Sequence, residues 1–241
     1  MRISVIVPAF NEERLIGVTL NCLQKNLGVF TGEGWEAELI ICDNNSTDRT
    51  ADLARAAGAV VVFEPVNQIG RARNRGAEAA SGDWLIFVDA DSHPSPELFR
   101  EVVEAIKSKR YVAGGCTVRF EGENSMGARV AGLWNVLSRC FRLLAGSFIF
   151  CEAQAFRAVG GFGEEFFVAE ELDLSQKLKK LARQRKQKLL ILHRHPLVTS
   201  ARKLHLYRTR DHLWFMFKAA VAGRRVLSDR SQCYLWYDGR R

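Results

Sequence analysis

The chain has 241 residues, of which 47 % are hydrophobic and 26 % are charged, and its net charge is +8. This composition supplies enough apolar material for a sizeable core and excludes an intrinsically disordered protein. Charged residues interrupt every apolar stretch before the ~20 residues that a membrane-spanning helix needs, so no membrane span is predicted.

The first half of the chain alternates strand and helix patterns with short connections. Apolar, β-branched runs predict strands at residues 3–7, 38–42, 59–63 and 84–88. Helical spacing of apolar residues predicts helices at residues 11–25, 47–57, 69–80 and 96–107. Strands that alternate with helices of this length indicate βαβ units and a parallel sheet. The first run is too short for a signal peptide, and we therefore expect a cytoplasmic protein.

The pattern changes after residue 110. Strands are predicted at residues 111–120, 147–151 and 188–192, and helices at residues 125–144, 171–183 and 204–221. The segment 157–162, which contains two glycines, is expected to form a turn. Because no linker or repeat separates the two parts, we expect an α/β protein with one domain over residues 1–241 and one continuous sheet.

Two carboxylates, Asp89 and Asp91, follow the predicted strand at residues 84–88 with a small alanine between them. Ligands of open α/β sheets bind beyond the carboxyl ends of the strands, so these side chains are expected at a ligand site. Mg²⁺ is commonly held by one or two carboxylates together with substrate phosphates. The alternative is that Asp91 only caps the helix that follows.

Polar side chains are also expected at two other strand ends of this crevice. Asp43 ends the second predicted strand, where a carboxylate can accept hydrogen bonds from a ribose or a base; the alternative is an Asx-turn. The segment 67–76 holds glycines and arginines where a helix N-terminus would face a phosphate. The alternative for Arg73 or Arg75 is a place on a solvated helix face.

Together these segments resemble the family 2 glycosyltransferases, which have the GT-A fold. The matching motifs are Val7-Pro8-Ala9-Phe10-Asn11-Glu12, Asp43-Asn44-Asn45-Ser46-Thr47-Asp48, Gly70-Arg71-Ala72-Arg73-Asn74-Arg75-Gly76, Asp89-Ala90-Asp91, Gly160-Gly161-Phe162 and Glu170-Glu171-Leu172-Asp173-Leu174. Each is short, but six in order over residues 5–174 make a strong match. Residues 199–203 look like the family's Ser-x-Arg element and extend the resemblance.

The resemblance implies a GT-A fold with a Rossmann-like, mostly parallel sheet flanked by helices. Residues 1–115 would form the nucleotide-sugar-binding half and residues 116–241 the acceptor-binding half. The donor would be a nucleotide-diphosphate sugar, with a UDP-sugar favoured over a GDP-sugar, and its sugar would be transferred to an acceptor hydroxyl with inversion. The resemblance gives donor-binding roles to Pro8, Phe10 and Glu12 (nucleoside pocket), Asp43 (base), Arg71 (base or phosphate) and Asp89 (ribose or metal-bound water).

The same resemblance implies a divalent metal and a general base. Asp91 would bind Mg²⁺ or Mn²⁺, with His195 as a less favoured third ligand; a surface histidine is the alternative. The family's base is usually the aspartate of a Glu-Asp pair, and here Glu171 occupies that position. Glu170 is its rival for the same role. Both acids would otherwise only begin a helix and complement its dipole.

Two other functions are considered for this scaffold. A sugar-phosphate nucleotidylyltransferase would need a glycine-rich loop near the N-terminus, and residues 7–10 do not provide one. A non-catalytic nucleotide-sugar-binding protein would be expected to lose one of its two acidic pairs, and both are present. A glycosyltransferase therefore remains the favoured prediction.

The positive charge lies mainly in the second half. Residues 1–120 hold 13 Lys and Arg against 16 Asp and Glu, whereas residues 121–241 hold 22 against 11. No nucleic-acid recognition module is found, so nucleic acid is not an expected partner.

We expect peripheral association with an anionic membrane at its inner face, and a lipid-linked acceptor; the alternative is a sugar or small soluble acceptor. Cations and bulky apolar residues mix at Arg129, Arg139, Arg142, Trp134, Leu137, Phe141, Phe148, Lys203, Arg208, Arg210, Trp214, Phe215 and Phe217.

Overall fold

A computed structural model of the chain describes residues 1–122, 125–200, 202, 214, 218, 223–233 and 237. The strands are β1 (Arg2–Ala9), β2 (Glu36–Asp43), β3 (Val60–Phe63), β4 (Trp84–Val88), β5 (Ser92–His93), β6 (Tyr111–Phe120), β7 (Phe148–Glu152) and β8 (Lys188–Thr199). The helices are α1 (Ile16–Thr31), α2 (Thr50–Ala56), α3 (Ile69–Ala79), α4 (Pro96–Lys107), α5 (Ser125–Phe141), α6 (Ala153–Ala158), α7 (Glu170–Gln184) and α8 (Arg224–Leu227).

The strands form one sheet in the order β3-β2-β1-β4-β7-β6-β8-β5. The pairs β3–β2, β2–β1, β1–β4 and β6–β8 are parallel, whereas β4–β7, β7–β6 and β8–β5 are antiparallel. The sheet is therefore mostly parallel. Because β7 pairs with both β4 and β6, the predicted continuous sheet is confirmed.

The carboxyl ends of β1, β2 and β4 meet at one edge of the sheet. Ala9 pairs with Asp43, and Ile6 pairs with Phe87 two residues before Asp89. Parallel pairing thus brings three sequence-distant turns to the same crevice.

Helices cover both faces of the sheet and bury it. Along β4, Ile86 and Val88 point into one hydrophobic cluster, and Leu85 and Phe87 point into the other. This alternation explains why β4 is apolar throughout, since neither face meets water.

Helix α3 lies unusually close to β1. A Cβ atom placed on Gly76 would overlap the Cγ2 atom of Ile6, so only a glycine allows this approach. Four of the buried residues of α3, Gly70, Arg73, Gly76 and Ala77, repeat at helical spacing and face the sheet side.

Several boundaries differ from the predicted ones for identifiable reasons. Helix α1 begins at Ile16 rather than residue 11, because Asn11 adopts a left-handed backbone conformation with φ of 52°. Helix α5 ends at Phe141 because Arg142 has φ of 50°. Strand β8 runs on to Thr199, and α6 and β5 had no predicted counterpart.

The predicted helix at residues 204–221 lies outside the described residues, apart from two isolated positions. Among the described helices, none has the length and apolar character to cross a bilayer.

Candidate active site

A narrow cavity of about 70 Å³ opens at the carboxyl edge of the sheet. It brings together five residues that the sequence placed at a donor or metal site. These are Pro8, Phe10, Glu12, Asp89 and Asp91. The cavity is also lined by Asn44 and Ile69, which belong to segments that the sequence placed at the crevice, and by Tyr237, which the sequence did not indicate.

The turn that carries the two aspartates is fixed by backbone hydrogen bonds. The N–H of Asp89 donates to the carbonyl of Ser147 (3.2 Å), and the N–H of Ser200 donates to the carbonyl of Asp91 (3.1 Å). The side chains of Asp89 and Asp91 are 23 % and 13 % exposed. The backbone thus holds two partly desolvated carboxylates over the cavity.

Arg73 lies at the centre of the site. The alternative considered from the sequence, a place on a solvated helix face, does not apply to it. Its side chain donates to Asp89 Oδ1 (Nη2, 2.9 Å), to Glu170 Oε1 (Nη1, 2.5 Å) and to the carbonyl of Gly146 (Nη2, 2.8 Å). The residue is only 1 % exposed, and its guanidinium carbon lies 5.2 Å from the ring centre of Phe162. Burial acts to lower the pKa of Arg73, but the two carboxylates outweigh burial and raise it.

The sequence did contain a signal for this buried arginine. Arg73 falls three residues after Gly70 and three before Gly76, on the helix face made of small residues. A cation on such a face is expected to be buried by whatever element packs there, and therefore to require carboxylate partners.

The two acids at the start of α7 have different environments. Glu170 is 3 % exposed and paired with Arg73, whereas Glu171 is half-buried and forms no ion pair with a described residue. Burial, reinforced by the charge of Glu170, raises the pKa of Glu171 to about 8. Ala169, the residue before Glu170, has a left-handed backbone conformation with φ of 69°. Such backbone strain in a non-glycine residue is often found at functional sites.

A second arginine, Arg202, approaches the other aspartate. Its Nη2 atom donates to both carboxylate oxygens of Glu12 (2.8 and 3.0 Å) and lies 3.9 Å from Asp91 Oδ2. The Nε atom of Arg202 is buried and has no hydrogen-bond partner among the described residues. The Ser-x-Arg element thus ends beside the Asp-x-Asp turn with a donor that no described residue uses.

Two predicted donor-binding residues lie outside the cavity lining. The Asp43 side chain accepts a hydrogen bond from the N–H of Ser46 (3.0 Å), which is the Asx-type turn considered as its alternative. Arg71 pairs with Glu64 (3.2 Å) and Glu164 (2.6 Å). The structure therefore places both residues near the crevice but engaged with protein groups.

His195 is held on α4 rather than at the aspartates. Its Nδ1 atom lies 2.6 Å from Glu101 Oε1. Ser200, whose backbone N–H contacts Asp91, lies five positions further along the extended chain, a distance of roughly 16 Å. The structure does not bring His195 together with Asp91.

The amino end of α3, expected to face a phosphate, contacts a tyrosine. The N–H of Ile69 donates to the Tyr237 hydroxyl (3.2 Å), which in turn donates to the carbonyl of Phe167 (2.9 Å). A residue close to the end of the chain thus forms part of the cavity wall.

The carboxylates of the site suit a hard divalent cation whose coordination shell would be completed by a bound phosphate. Carboxylate oxygens are the ligands that Mg²⁺ and Mn²⁺ prefer. Within the described ranges, no group of three His, Cys, Asp or Glu side chains is arranged to hold a metal. Asp91 would therefore hold a cation together with oxygens of a bound diphosphate. The Nε atom of Arg202, which has no partner among the described residues, suits the same anion.

A mostly parallel sheet with an Asp-x-Asp turn over its carboxyl edge defines an α/β protein with a ligand site at the carboxyl ends of its strands. Comparison with known families agrees. The model of glycosyl transferase family 2 matches residues 4–158, and the chain belongs to this family.

Curated relatives share the first part of the chain. The sequence is 31 % identical over 130 residues to dolichol-phosphate mannosyltransferase of Pyrococcus furiosus, covering 48 % of this chain and 35 % of that enzyme. It is 37 % identical over 97 residues to glucosyl-3-phosphoglycerate synthase of Mycolicibacterium smegmatis, covering 37 % of this chain and 30 % of that one. Both alignments span only about a third of the relative.

Solved structures show the same fold over nearly the whole chain. Mannosyltransferase PcManGT from Pyrobaculum calidifontis, in complex with GDP-Man and Mn²⁺, has a TM-score of 0.68 at 20 % identity, covering 93 % of this chain and 60 % of that one. Glucosyl-3-phosphoglycerate synthase from Mycobacterium tuberculosis, with Mn²⁺, UDP and phosphoglyceric acid, has a TM-score of 0.60 at 22 % identity, covering 96 % and 78 %. The predicted GT-A fold is confirmed.

Proposed function

We propose that the protein transfers a sugar from a nucleotide-diphosphate donor to an acceptor hydroxyl with inversion at the sugar carbon. The observation that carries this proposal is the buried Arg73, which joins Asp89 of the Asp-x-Asp turn to Glu170 beside Glu171. One side chain thus links the expected diphosphate site to the acidic pair that contains the expected base.

The donor would bind in the cavity at the carboxyl edge. Pro8, Phe10 and Glu12 line it and would contact the nucleoside, with Asp43 and Arg71 reaching the base or phosphate after releasing their present partners. A UDP-sugar is favoured and a GDP-sugar is the second choice, since structurally similar enzymes were solved with UDP or with GDP-Man.

Asp91 would hold Mg²⁺ or Mn²⁺, with Asp89 reaching the ribose or a metal-bound water. When bound, the cation supplies Lewis-acid neutralisation of the departing diphosphate. Arg202 would leave Glu12 to donate to the same phosphate oxygens. His195 is left out of this ligand set because of its contact with Glu101.

Glu171 would act as the general base. The acceptor oxygen forms the new bond to the sugar carbon while the bond to the diphosphate oxygen breaks, and the acceptor proton passes to the Glu171 carboxylate. Glu170 is less suited because its carboxylate is committed to Arg73. A base with a raised pKa binds the acceptor proton more strongly than an ordinary carboxylate does. Because Glu171 can act only in its deprotonated form, the transfer rate is expected to rise with pH up to about 8.

The acceptor is proposed to be a hydroxyl on a lipid-linked molecule at the cytoplasmic face of the membrane, with a sugar or small soluble molecule as the alternative. The excess of 22 Lys and Arg over 11 Asp and Glu in residues 121–241 supports an anionic surface near the acceptor half.

A panel of nucleotide sugars tests the proposal. The purified protein is incubated with UDP- and GDP-sugars and Mn²⁺, and we expect slow hydrolysis of one donor with release of its nucleoside diphosphate, abolished by EDTA. Binding of a donor without hydrolysis, and without transfer to any acceptor offered, would instead indicate a binding protein. Formation of a nucleoside triphosphate on addition of pyrophosphate would indicate a nucleotidylyltransferase.

A further inference from the structure

An open cavity of about 460 Å³ lies away from the crevice, between the carboxyl ends of α5 and α7 and the start of β8. Its lining contains five cationic side chains and no Asp or Glu. The cations are Arg139, Arg142, Lys179, Arg183 and Lys188. Along α7, Lys179 and Arg183 are roughly 12 Å and 18 Å from Glu171, which separates this cavity from the proposed base.

No described acidic residue balances the positive charge of this cavity. None of its five cations forms an ion pair with a described residue, although the same structure pairs many other arginines. Burial, together with the charges of Arg142 and Arg183, lowers the pKa of Lys179. Cations gathered at this density are expected to attract a multiply charged anion such as a phosphate group.

The outer face of α5 continues from the cavity as an exposed apolar surface. Leu133, Val136, Leu137 and Phe141 are 64, 58, 38 and 62 % exposed, and they repeat at helical spacing. The opposite face of α5 is anchored by Asn135, whose side chain donates to the carbonyl of Val118 and accepts from its N–H, both at 2.9 Å. The apolar face therefore points outwards because the polar anchor fixes the rotation of the helix.

The charge of α5 selects the kind of surface that this face would meet. Residues 125–142 contain no Asp or Glu but three arginines, at positions 129, 139 and 142. An apolar stripe flanked by cations is the arrangement of helices that lie in the interface of an anionic bilayer. Two expected members of this surface do not belong to it, since Phe148 is fully buried and Trp134 packs against the core.

We propose that the outer face of α5 and the α5–α7 cavity form one surface that binds an anionic bilayer. The cavity would take the phosphate headgroup of an acidic lipid, and Leu133, Val136, Leu137 and Phe141 would enter the headgroup–acyl boundary. The proposal deepens the membrane association suggested for the acceptor half but does not depend on the transfer reaction.

Flotation of the full-length protein with vesicles tests this surface. Vesicles contain phosphatidylcholine alone or with increasing phosphatidylglycerol, at low and high salt. We expect binding that grows with the anionic lipid and weakens with salt. Arg142→Gln/Arg183→Gln is expected to lower the partition coefficient about 30-fold, since each charge contributes roughly fivefold. Lys25→Gln/Lys180→Gln removes the same charge from exposed sites outside the cavity and is expected to bind like wild type.

The apolar stripe and the rival ligands are tested separately. Leu133→Ser/Phe141→Ser is expected to weaken vesicle binding while leaving donor hydrolysis in solution unchanged, so a failed transferase assay would not affect this result. Wild-type protein that ignores anionic vesicles at low salt would overturn the proposal, as would equal losses in the cavity and control variants. Competition by millimolar inorganic phosphate as strong as by lipid would identify a free-phosphate site. A dimer abolished by Phe141→Ser, without vesicle binding, would identify an interface between copies.

Discussion

At the scale of single residues, Glu171 carries the sharpest expectation. Glu171→Gln is expected to lower kcat about 10²–10⁴-fold with little change in donor affinity, because a general base acts in the transition state. Steady-state kinetics with the donor identified by the panel would measure both constants. If Glu170→Gln caused this loss and Glu171→Gln did not, the roles of the two acids would be exchanged.

The raised pKa of Glu171 also predicts a dependence of stability on pH. The folded protein holds this proton up to about pH 8, whereas the unfolded chain releases it near the ordinary value of 4.5. Between these values the native state binds more protons, so the free energy of unfolding falls as pH rises. Urea unfolding in EDTA should show this fall in wild type and a smaller one in Glu171→Gln. If the free energy of unfolding fell equally with pH in the two proteins, the raised pKa of Glu171 would be contradicted.

Arg73 is expected to be essential for the fold as well as the site. Arg73→Met leaves Asp89 and Glu170 without their partner, and breaking a buried pair in this way costs about 3–5 kcal/mol of unfolding free energy. Arg73→Lys keeps the charge and is expected to cost less. The matched control is Arg75→Met on the same helix, whose side chain is 52 % exposed and paired with Glu78. It should change stability by no more than about 0.5 kcal/mol.

The residues of the site divide by how far their partners lie along the chain. Pro8 and Phe10 lie at the carboxyl end of β1, and Asp89 and Asp91 follow β4. Because parallel pairing alone brings such strand ends together, these residues could be placed from the sequence. The position of Arg73 depends on contacts with Gly146 and Glu170, which lie about 70 and 100 residues away, and no local pattern encodes such contacts.

At the scale of elements, the packing of α3 on β1 makes a clear prediction. Gly76→Ala places a methyl group against Ile6, and overpacking of this kind costs typically 1–3 kcal/mol. Gly17→Ala, in α1 where nothing lies within 4 Å of the added Cβ, is expected to be neutral or stabilising. Thermal or urea unfolding of the two variants measures the contrast. Equal stabilities would mean that α3 can move away from the sheet.

Elements were predictable where the apolar pattern alone decides them. Strand β4, buried on both faces, and helix α4, begun by Ser95 and Pro96, have the predicted bounds. The start of α1 was misplaced because the left-handed Asn11 is fixed by hydrogen bonds to Ser46 and Thr47 from another loop. Strand β8 continues beyond Pro196 because residues 197–199 pair with β6, and residues 198 and 199 also pair with β5.

At the scale of the whole molecule, donor and metal are expected to stabilise the fold together. A ligand present at 100 times its Kd adds about 2.7 kcal/mol to the free energy of unfolding, or several degrees in Tm for a chain of this size. UDP with Mn²⁺ should raise Tm by more than the two separate shifts combined, since the metal needs diphosphate oxygens to complete its coordination. Asp91→Asn should lose this synergy, and the surface variant Asp52→Asn should keep it.

The place of Tyr237 in the cavity wall has a consequence for how the protein is made. The donor cavity combines Pro8 from the first strand with Tyr237, which lies 229 positions further along the chain. A nascent chain that has been synthesised only as far as residue 200 already possesses all eight described strands of the sheet, but it lacks Tyr237 and cannot present the finished cavity. Competence to bind a donor is therefore acquired only once Tyr237 has been added, well after the sheet is complete.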